Sequence, residues 1–168
     1  MLIVERFWIT FFDYPFDNNI LLADALEIEG YKAFVDPFNG KVSPQWQQKF
    51  NISDYAQIIS DHWKEILQVE NRPRFYIQKE GFTVPWHKDR GTKVAINFVL
   101  SGSKSPIEFR NGPVEYTVAM IDVQKEHRVT ASNGKRILFK LSIFDIDYDT
   151  ACKRYDKYQK DKLLEFGT

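Results

Sequence analysis

Cysteine is almost absent from this chain: Cys152 is the only one in 168 residues. A single cysteine excludes an internal disulfide and a cysteine-based zinc site, and it is typical of a reducing compartment. No apolar run approaches the ~20 residues that a membrane-spanning helix needs. Residues 1–12 are apolar, but Glu5 and Arg6 interrupt them, so we interpret this stretch as a strand rather than a signal peptide. We therefore expect a cytoplasmic protein without a membrane partner.

An excess of either charge is also missing. The sequence has 23 Lys and Arg against 23 Asp and Glu, which gives a formal net charge of zero. Such a balance creates no field that would draw nucleic acid or an anionic membrane to the surface. Nucleic acid is therefore an unlikely partner, whereas a small-molecule, peptide or protein substrate stays open. The charge pattern does not predict an oligomeric state.

The length predicts a single domain, 1–168, with enough residues to bury a core. We divide it into an N-terminal strand and support helices over 1–70, a β-rich core over 74–146 and a helical tail over 147–168. Aromatic residues make up 15% of the chain and favour β structure. Short apolar segments separated by glycine turns follow from Arg74 onwards, and this pattern predicts a jelly roll or barrel.

Two helices are predicted before the core. Asp17 can cap a helix that runs to about Glu29, and Ser53 can cap a second that runs to about Val69. The apolar positions expected to be buried are Ile20, Leu21, Ala25, Leu26 and Ile28 in the first helix, and Tyr55, Ile58, Ile59, Trp63, Ile66 and Leu67 in the second. His62 lies on the second helix without a ligand partner at helical spacing, so we interpret it as structural.

His87, Asp89 and His127 form the candidate metal site. If His87 and Asp89 lie in one strand, the two-residue side-chain period points both to the same side. His127 follows far enough downstream for the chain to return through several strands and supply a third ligand. Two imidazoles and one carboxylate leave half of an octahedron open, as in non-haem Fe(II) oxygenases.

Arg136 is the candidate partner for an anionic ligand, because a fixed guanidinium near a metal suits a carboxylate bound in bidentate geometry. It lies out of phase with the apolar row that runs along its strand, at Ile137, Phe139, Leu141 and Ile143. Its side chain would then face the barrel interior only if the strand twists or bulges.

Residues 74–144 resemble the double-stranded β-helix core of the 2-oxoglutarate- and Fe(II)-dependent dioxygenases, nearest to the prolyl hydroxylase-like branch. The matching segments follow one another in the order of that family and are residues 74–76, 80–82, 87–89, 94–100, 106–109, 111–112, 127–129 and 134–136. Residues 1–70 and 147–168 lie outside the resemblance. Leu138 stands where several branches of the family have a serine.

The resemblance implies a mainly β (α+β) fold, with a jelly-roll core, supporting N-terminal helices and a C-terminal helix. It implies Fe(II) held by His87, Asp89 and His127, and 2-oxoglutarate whose far carboxylate reaches Arg136. O2 would be consumed, succinate and CO2 released, and a protein or peptide side chain or a free amino acid hydroxylated. Halogenating relatives have a small residue in place of the carboxylate, so Asp89 favours hydroxylation.

Tyr76 and Asn97 are further candidate cosubstrate ligands. They lie near positions where members of the family hydrogen-bond 2-oxoglutarate, although packing within a strand would also account for both. Arg128 and Lys140 compete with Arg136 for the same carboxylate.

Two other kinds of function stay open. The chain could be a cupin-type metalloenzyme that does not use 2-oxoglutarate, in which case Arg136 would have no role in cosubstrate binding. It could also be a binding module on the same roll without catalysis, although three intact ligands weigh against that. The sequence identifies no substrate.

Overall fold

The structure is a computed structural model, and it describes residues 6–27, 29–101 and 106–166. Strands dominate these ranges. The elements in chain order are β1 (Trp8–Thr10), α1 (Asn18–Leu26), β2 (Lys32–Val35), β3 (Val42–Lys49), α2 (Asp54–Leu67), β4 (Arg72–Gln78), β5 (Val84–His87), β6 (Val94–Val99), β7 (Ile107–Phe109), β8 (Gly112–Val114), β9 (Val118–Asp122), β10 (His127–Val129), β11 (Arg136–Ile143) and α3 (Tyr148–Phe166).

The strands of the described ranges form two antiparallel sheets. The large sheet has the order β1-β9-β6-β11-β4-β3-β2, and the small sheet has the order β5-β10-β7-β8. The crossovers from β4 to β5 and from β9 to β10 pass from the large sheet to the small one, as in a jelly roll. The predicted mainly β fold with a jelly-roll core and flanking helices is confirmed.

The large sheet separates two apolar cores. One lies against the helices and includes Trp63, Phe75, Phe98 and Phe139. The other lies inside the roll, between the two sheets, and includes Phe109 and other side chains from both sheets, namely Ala95, Ile107, Val114, Ala119, Ile121, Val123 and Val129. The sheet is therefore buried on both faces at its centre.

This double burial corrects our expectation for Arg136. The apolar row of β11 packs towards the helices, and the alternate row points into the roll. Arg136 pairs with Gln78 in regular register, and the register between β11 and β4 continues without a shift to Ser142. Neither a twist nor a bulge is needed, because the second face of this strand is also enclosed.

Helix α1 is shorter than predicted. Asp17 caps it as expected, since its carboxylate accepts hydrogen bonds from the backbone N–H groups of Asn19 and Ile20. It ends at Leu26 rather than near Glu29, and the buried Lys49 ammonium donates to the carbonyls of Asp24 and Glu27 at that end. A cation at the C-terminal carbonyls satisfies groups that the helix leaves unpaired.

In both helices fewer apolar residues are buried than the sequence predicted. Only Leu21 and Ala25 are buried in α1, whereas Ile20 and Leu26 are exposed, and Ile28 lies outside the described residues. In α2 the Ser53 cap is present and the predicted stripe is buried except for Ile58, which is exposed, and Tyr55, which is partly buried. Each helix contacts the sheet along one narrow line, so apolar residues beside that line face solvent.

The end regions are described in part. The predicted N-terminal strand is present at Trp8–Thr10, and residues 1–5 lie outside the described residues. The charged tail forms α3 as predicted. Within the described ranges, no helix combines the length and the apolar character that crossing a membrane requires.

Phe139 provides a test of the packing. It is fully buried at the centre of β11, with ring centroids 5.0 Å from Phe75 and 5.6 Å from Phe98. We expect Phe139→Ala to lower the free energy of unfolding by about 3–5 kcal/mol, measured by urea denaturation, because it leaves a cavity. The control is Phe12→Ala, since Phe12 is 95% exposed; its cost should stay within about 0.5 kcal/mol. Equal effects of the two substitutions would contradict this account of the core.

Candidate metal centre

The small sheet brings the two candidate histidines together. His87 is the last residue of β5, His127 is the first residue of β10, and the two are cross-strand partners. Side chains of such partners lie on the same face of a sheet. Asp89 lies two residues beyond the end of β5 rather than within it, and its backbone N–H donates to the Val123 carbonyl at 3.0 Å. The Asp89 carboxylate nevertheless lies on the same side as the His87 ring, 3.2 Å from its Nε2.

The three side chains converge on one point. The Asp89 Oδ1 atom lies 3.2 Å from His87 Nε2 and 3.4 Å from His127 Nε2. One possible ligand atom from each residue falls within 4.8 Å of the others. Such convergence is what a shared metal ion requires. His127 is buried, whereas His87 and Asp89 are partly exposed, so the cluster is open on one side.

Backbone carbonyls orient both imidazoles. The Nδ1 atom of His87 lies 2.7 Å from the Pro85 carbonyl oxygen, and Nδ1 of His127 lies 2.7 Å from the Lys125 carbonyl oxygen. A neutral imidazole that donates from Nδ1 keeps a lone pair on Nε2 for a metal. Ligating histidines are usually held in this way by an acceptor behind the ring. The donor set therefore fits a divalent transition metal such as Fe(II).

The surroundings favour an ionised carboxylate. Burial alone would raise the pKa of Asp89, but the charge of Lys140 and the hydrogen bonds from His127 and His87 hold that pKa well below its usual range. Burial alone would lower the pKa of His87, but its hydrogen bonds to Asp89 and to the Pro85 carbonyl raise that pKa above the ordinary value. Asp89 is thus ionised, which is the state that a carboxylate needs in order to bind a metal.

Lys140 lies at the second oxygen of Asp89. Its ammonium is 3.1 Å from Asp89 Oδ2, and both side chains are mostly buried. The sequence suggested Lys140 only as a competitor of Arg136 for a carboxylate. In the structure its partner is the metal-ligand candidate itself, a contact that the spacing of the residues along the chain does not indicate.

Arg136 is enclosed inside the roll, with only 1% of its surface exposed. Its Nη2 donates to the Tyr116 hydroxyl at 3.1 Å, and its buried Nε–H has no hydrogen-bond partner among the described residues. Within those same ranges no carboxylate forms an ion pair with it, whereas its competitor Arg128 pairs with Glu108 at 2.8 Å. Arg136 is thus a buried cation that lacks a counterion in this part of the chain.

Asn97 and Tyr116 lie beside Arg136, and we call these three residues the polar end of the roll. Asn97 Nδ2 donates to the same Tyr116 hydroxyl at 3.0 Å, and its Oδ1 is buried without a partner among the described residues. Asn97 and Arg136 are therefore joined through one hydroxyl, as a shared ligand site would require. Tyr116 was not among the predicted site residues, because it lies in the irregular segment between β8 and β9, where periodicity gives no direction.

Tyr76 lies on the same inner face, opposite Leu138. Its ring stacks on Trp46 with centroids 4.6 Å apart, and the Lys140 ammonium lies 5.6 Å from its centroid. Its ring thus contacts the cation that pairs with Asp89. Its role as a cosubstrate ligand stays a prediction.

The histidine outside the cluster has a different environment. His62 lies between the hydroxyls of Tyr14, 2.9 Å from Nδ1, and Tyr158, 3.3 Å from Nε2. These residues also line a cavity of about 250 Å³ between the N-terminal segment, α2 and α3. None of the predicted site residues contributes to that cavity.

No protein-family model matches the sequence, and a search of curated proteins finds no match. Solved structures do resemble it. A Trichoplax adhaerens prolyl hydroxylase, solved in complex with a hypoxia inducible factor oxygen degradation domain peptide fragment, superposes with a TM-score of 0.66. The two are 12% identical, and the match covers 89% of this chain and 84% of the other.

Two further structures match less well. A Pseudomonas putida prolyl-4-hydroxylase gives a TM-score of 0.49 at 10% identity, covering 59% of this chain and 70% of that protein. A predicted oxalate decarboxylase of Thermotoga maritima gives 0.43 at 14% identity, covering 68% and 91%. The Trichoplax match carries the comparison, and at its identity it establishes the fold: this chain has the jelly-roll architecture of that prolyl hydroxylase.

Proposed function

We propose that this protein is a 2-oxoglutarate- and Fe(II)-dependent oxygenase that hydroxylates a C–H bond of a small-molecule, peptide or protein substrate. The observation that carries the proposal is Arg136, a fully buried guanidinium without a counterion in the described ranges, inside the same roll as the His87, Asp89 and His127 cluster. A buried charge is stable only when it is paired. A dicarboxylate that also reaches the metal would pair it.

The strand register supports this proposal, because it brings two cations to one face of β11. Arg136 and Lys140 both point into the roll from β11, and Lys140 contacts Asp89. They are four positions apart along the strand, a distance of about 13 Å between Cα atoms. A dicarboxylate that bound along this face would reach from Arg136 towards the metal ligands beside Lys140. Arg136 and the Tyr116 hydroxyl would bind its far carboxylate, and His87, Asp89 and His127 would hold the metal.

When bound, Fe(II) and 2-oxoglutarate would supply the oxidising chemistry, in which O2 is consumed and succinate and CO2 are released. The chain's own residues have simpler tasks. Backbone carbonyls accept from Nδ1 of His87 and His127, so both rings would present Nε2 lone pairs once the Nε2 protons that they share with Asp89 are released. Lys140 keeps Asp89 ionised and occupies its Oδ2. The apolar inner core of the roll would shield the far carboxylate of the cosubstrate from water.

The substrate class follows only loosely from these contacts. The Trichoplax protein was solved with a peptide, and we keep peptides and protein side chains among the candidate substrates beside free amino acids. The alternative function, a cupin-type metalloenzyme without 2-oxoglutarate, would use the same three ligands and leave Arg136 unpaired. The two functions therefore differ at Arg136.

The metal ligands can be tested in metal-free protein under anaerobic conditions. We expect His127→Ala to weaken Fe(II) binding, measured by calorimetry, by at least about 100-fold, since losing a ligand costs more than losing the group behind it. The matched control is His62→Ala, which removes a histidine held by two tyrosines and should keep the affinity of the unaltered protein. Tight binding by His127→Ala would show that the metal lies elsewhere.

The role of Arg136 can be tested by the visible charge-transfer band that Fe(II) and 2-oxoglutarate give together. We expect Arg136→Gln to keep Fe(II) bound and to weaken 2-oxoglutarate by about 30-fold or more, the equivalent of ~2 kcal/mol for a lost buried charge pair. Arg128→Gln is the control, because Arg128 pairs with Glu108. Unchanged 2-oxoglutarate affinity in Arg136→Gln would contradict the assignment. An iron-loaded protein that gives no band at all would favour the cupin-type alternative.

A further inference from the structure

Arg74 is a second cation beside the metal cluster that the proposed function does not use. It lies on β4 directly opposite Lys140 of β11, so both side chains point into the roll. Both also contact the ring of Tyr76, with the Arg74 guanidinium carbon 5.3 Å and the Lys140 ammonium 5.6 Å from its centroid. Since Lys140 contacts Asp89, Arg74 is the cross-strand neighbour of the cation that pairs with a candidate metal ligand.

The two opposed cations are not compensated equally. Lys140 has Asp89 as its counterion at 3.1 Å. Among the described residues Arg74 bonds only to neutral acceptors, the Ser142 hydroxyl at 2.9 Å and the Gln48 side-chain oxygen at 3.3 Å. Across the ranges that the structure describes, no carboxylate forms an ion pair with it, and its Nε–H is buried without a partner. Like charges placed opposite each other across two strands are destabilising unless an anion compensates them.

The guanidinium is also held in a fixed position. The ring of Phe50 lies 5.5 Å from it, in addition to Tyr76, and its two hydrogen bonds anchor it to β3 and β11. These bonds use two of its five N–H donors, which leaves others for a ligand. A rigid guanidinium with free donors matches the planar geometry of a carboxylate or the oxygens of a phosphate.

We propose that Arg74 binds an anionic group of the primary substrate, a carboxylate or a phosphate, and thereby places the substrate beside the metal centre. This inference rests on the proposed function for the identity of the neighbouring centre. It divides the inner face between two anions: Arg136 takes the cosubstrate, and Arg74 takes the substrate. A purely structural Arg74 that ties β3, β4 and β11 together is the alternative, and such a role would leave its remaining N–H groups indifferent to added anions.

The Arg74 Nε–H group can be followed directly by nuclear magnetic resonance. The sample is ¹⁵N-labelled protein loaded with Zn(II), which is diamagnetic, and saturated with 2-oxoglutarate; Arg74→Lys assigns the signal, because lysine has no Nε–H of this kind. Sodium acetate and sodium sulfate are added separately. Arg110 serves as the control in the same spectrum, since its side chain is 60% exposed and pairs with Glu126 at the surface.

We expect the Arg74 signal to shift saturably, at anion concentrations at least about tenfold lower than those that move the Arg110 signal. Stronger binding of acetate would identify a carboxylate substrate, and stronger binding of sulfate would identify one that carries a phosphate or sulfate. Responses of Arg74 and Arg110 that do not differ for either anion would overturn the proposal. So would a signal that 2-oxoglutarate alone moves and that then no longer responds to either anion, because Arg74 would then bind the cosubstrate.

Failure of this inference is distinguishable from failure of the proposed function. The same titration on metal-free protein without 2-oxoglutarate measures the anion site alone. If the protein binds 2-oxoglutarate but shows no anion response at Arg74, the anion site at Arg74 is wrong and the proposed function stands. If Arg74 responds to anions but the protein binds no 2-oxoglutarate, the anion site stands and the proposed cosubstrate is wrong. Melting temperatures of Arg74→Gln and Arg110→Gln report any structural role of either residue separately.

Discussion

The strand β11 is buried on both faces, and most of the site depends on how the charged side chains of this strand are compensated for that burial. Its apolar row packs against the helices, while the row that faces the roll carries Arg136 and Lys140. Cations are rarely placed in such positions, because each must recover the hydration that it loses. Lys140 does so through Asp89, and Arg136 finds only a neutral hydroxyl in the described ranges. An incompletely paired cation at the centre of a sheet lowers the stability of the fold. A bound anionic ligand would offset that loss by pairing with the cation.

The need to compensate buried positive charge applies to the whole interior of the roll. Arg74, Arg136 and Lys140 face the roll from the large sheet, and of these three cations only Lys140 pairs with a carboxylate, that of Asp89, in the described ranges. A divalent metal on Asp89 would add still more positive charge. Electrostatic balance therefore favours anionic ligands, one at each cation without a counterion. This reasoning links the 2-oxoglutarate proposed at Arg136 to the anionic substrate proposed at Arg74 by a single physical cause.

Much of the architecture follows from local sequence signals, and the rest depends on long-range packing. The caps Asp17 and Ser53 are local, and both were predicted correctly. The exposure of Ile58 was not, because the width of the helix face that touches the sheet is set by the partner rather than by the helix. The convergence of His87, Asp89 and His127 could be predicted from their order and from family resemblance. The contacts of Tyr116 and Lys140 could not, since they join segments far apart in sequence.

The two carboxylate oxygens of Asp89 have different neighbours, and this difference affects how a metal would be held. Its Oδ1 faces both histidines, while its Oδ2 is occupied by the Lys140 ammonium. A carboxylate with one oxygen already bonded offers the other alone, so a metal here would receive a single bond from Asp89. His87, Asp89 and His127 would hold the metal, which would supply the oxidising chemistry when bound. By occupying Oδ2, Lys140 leaves Oδ1 as the atom that Asp89 can offer.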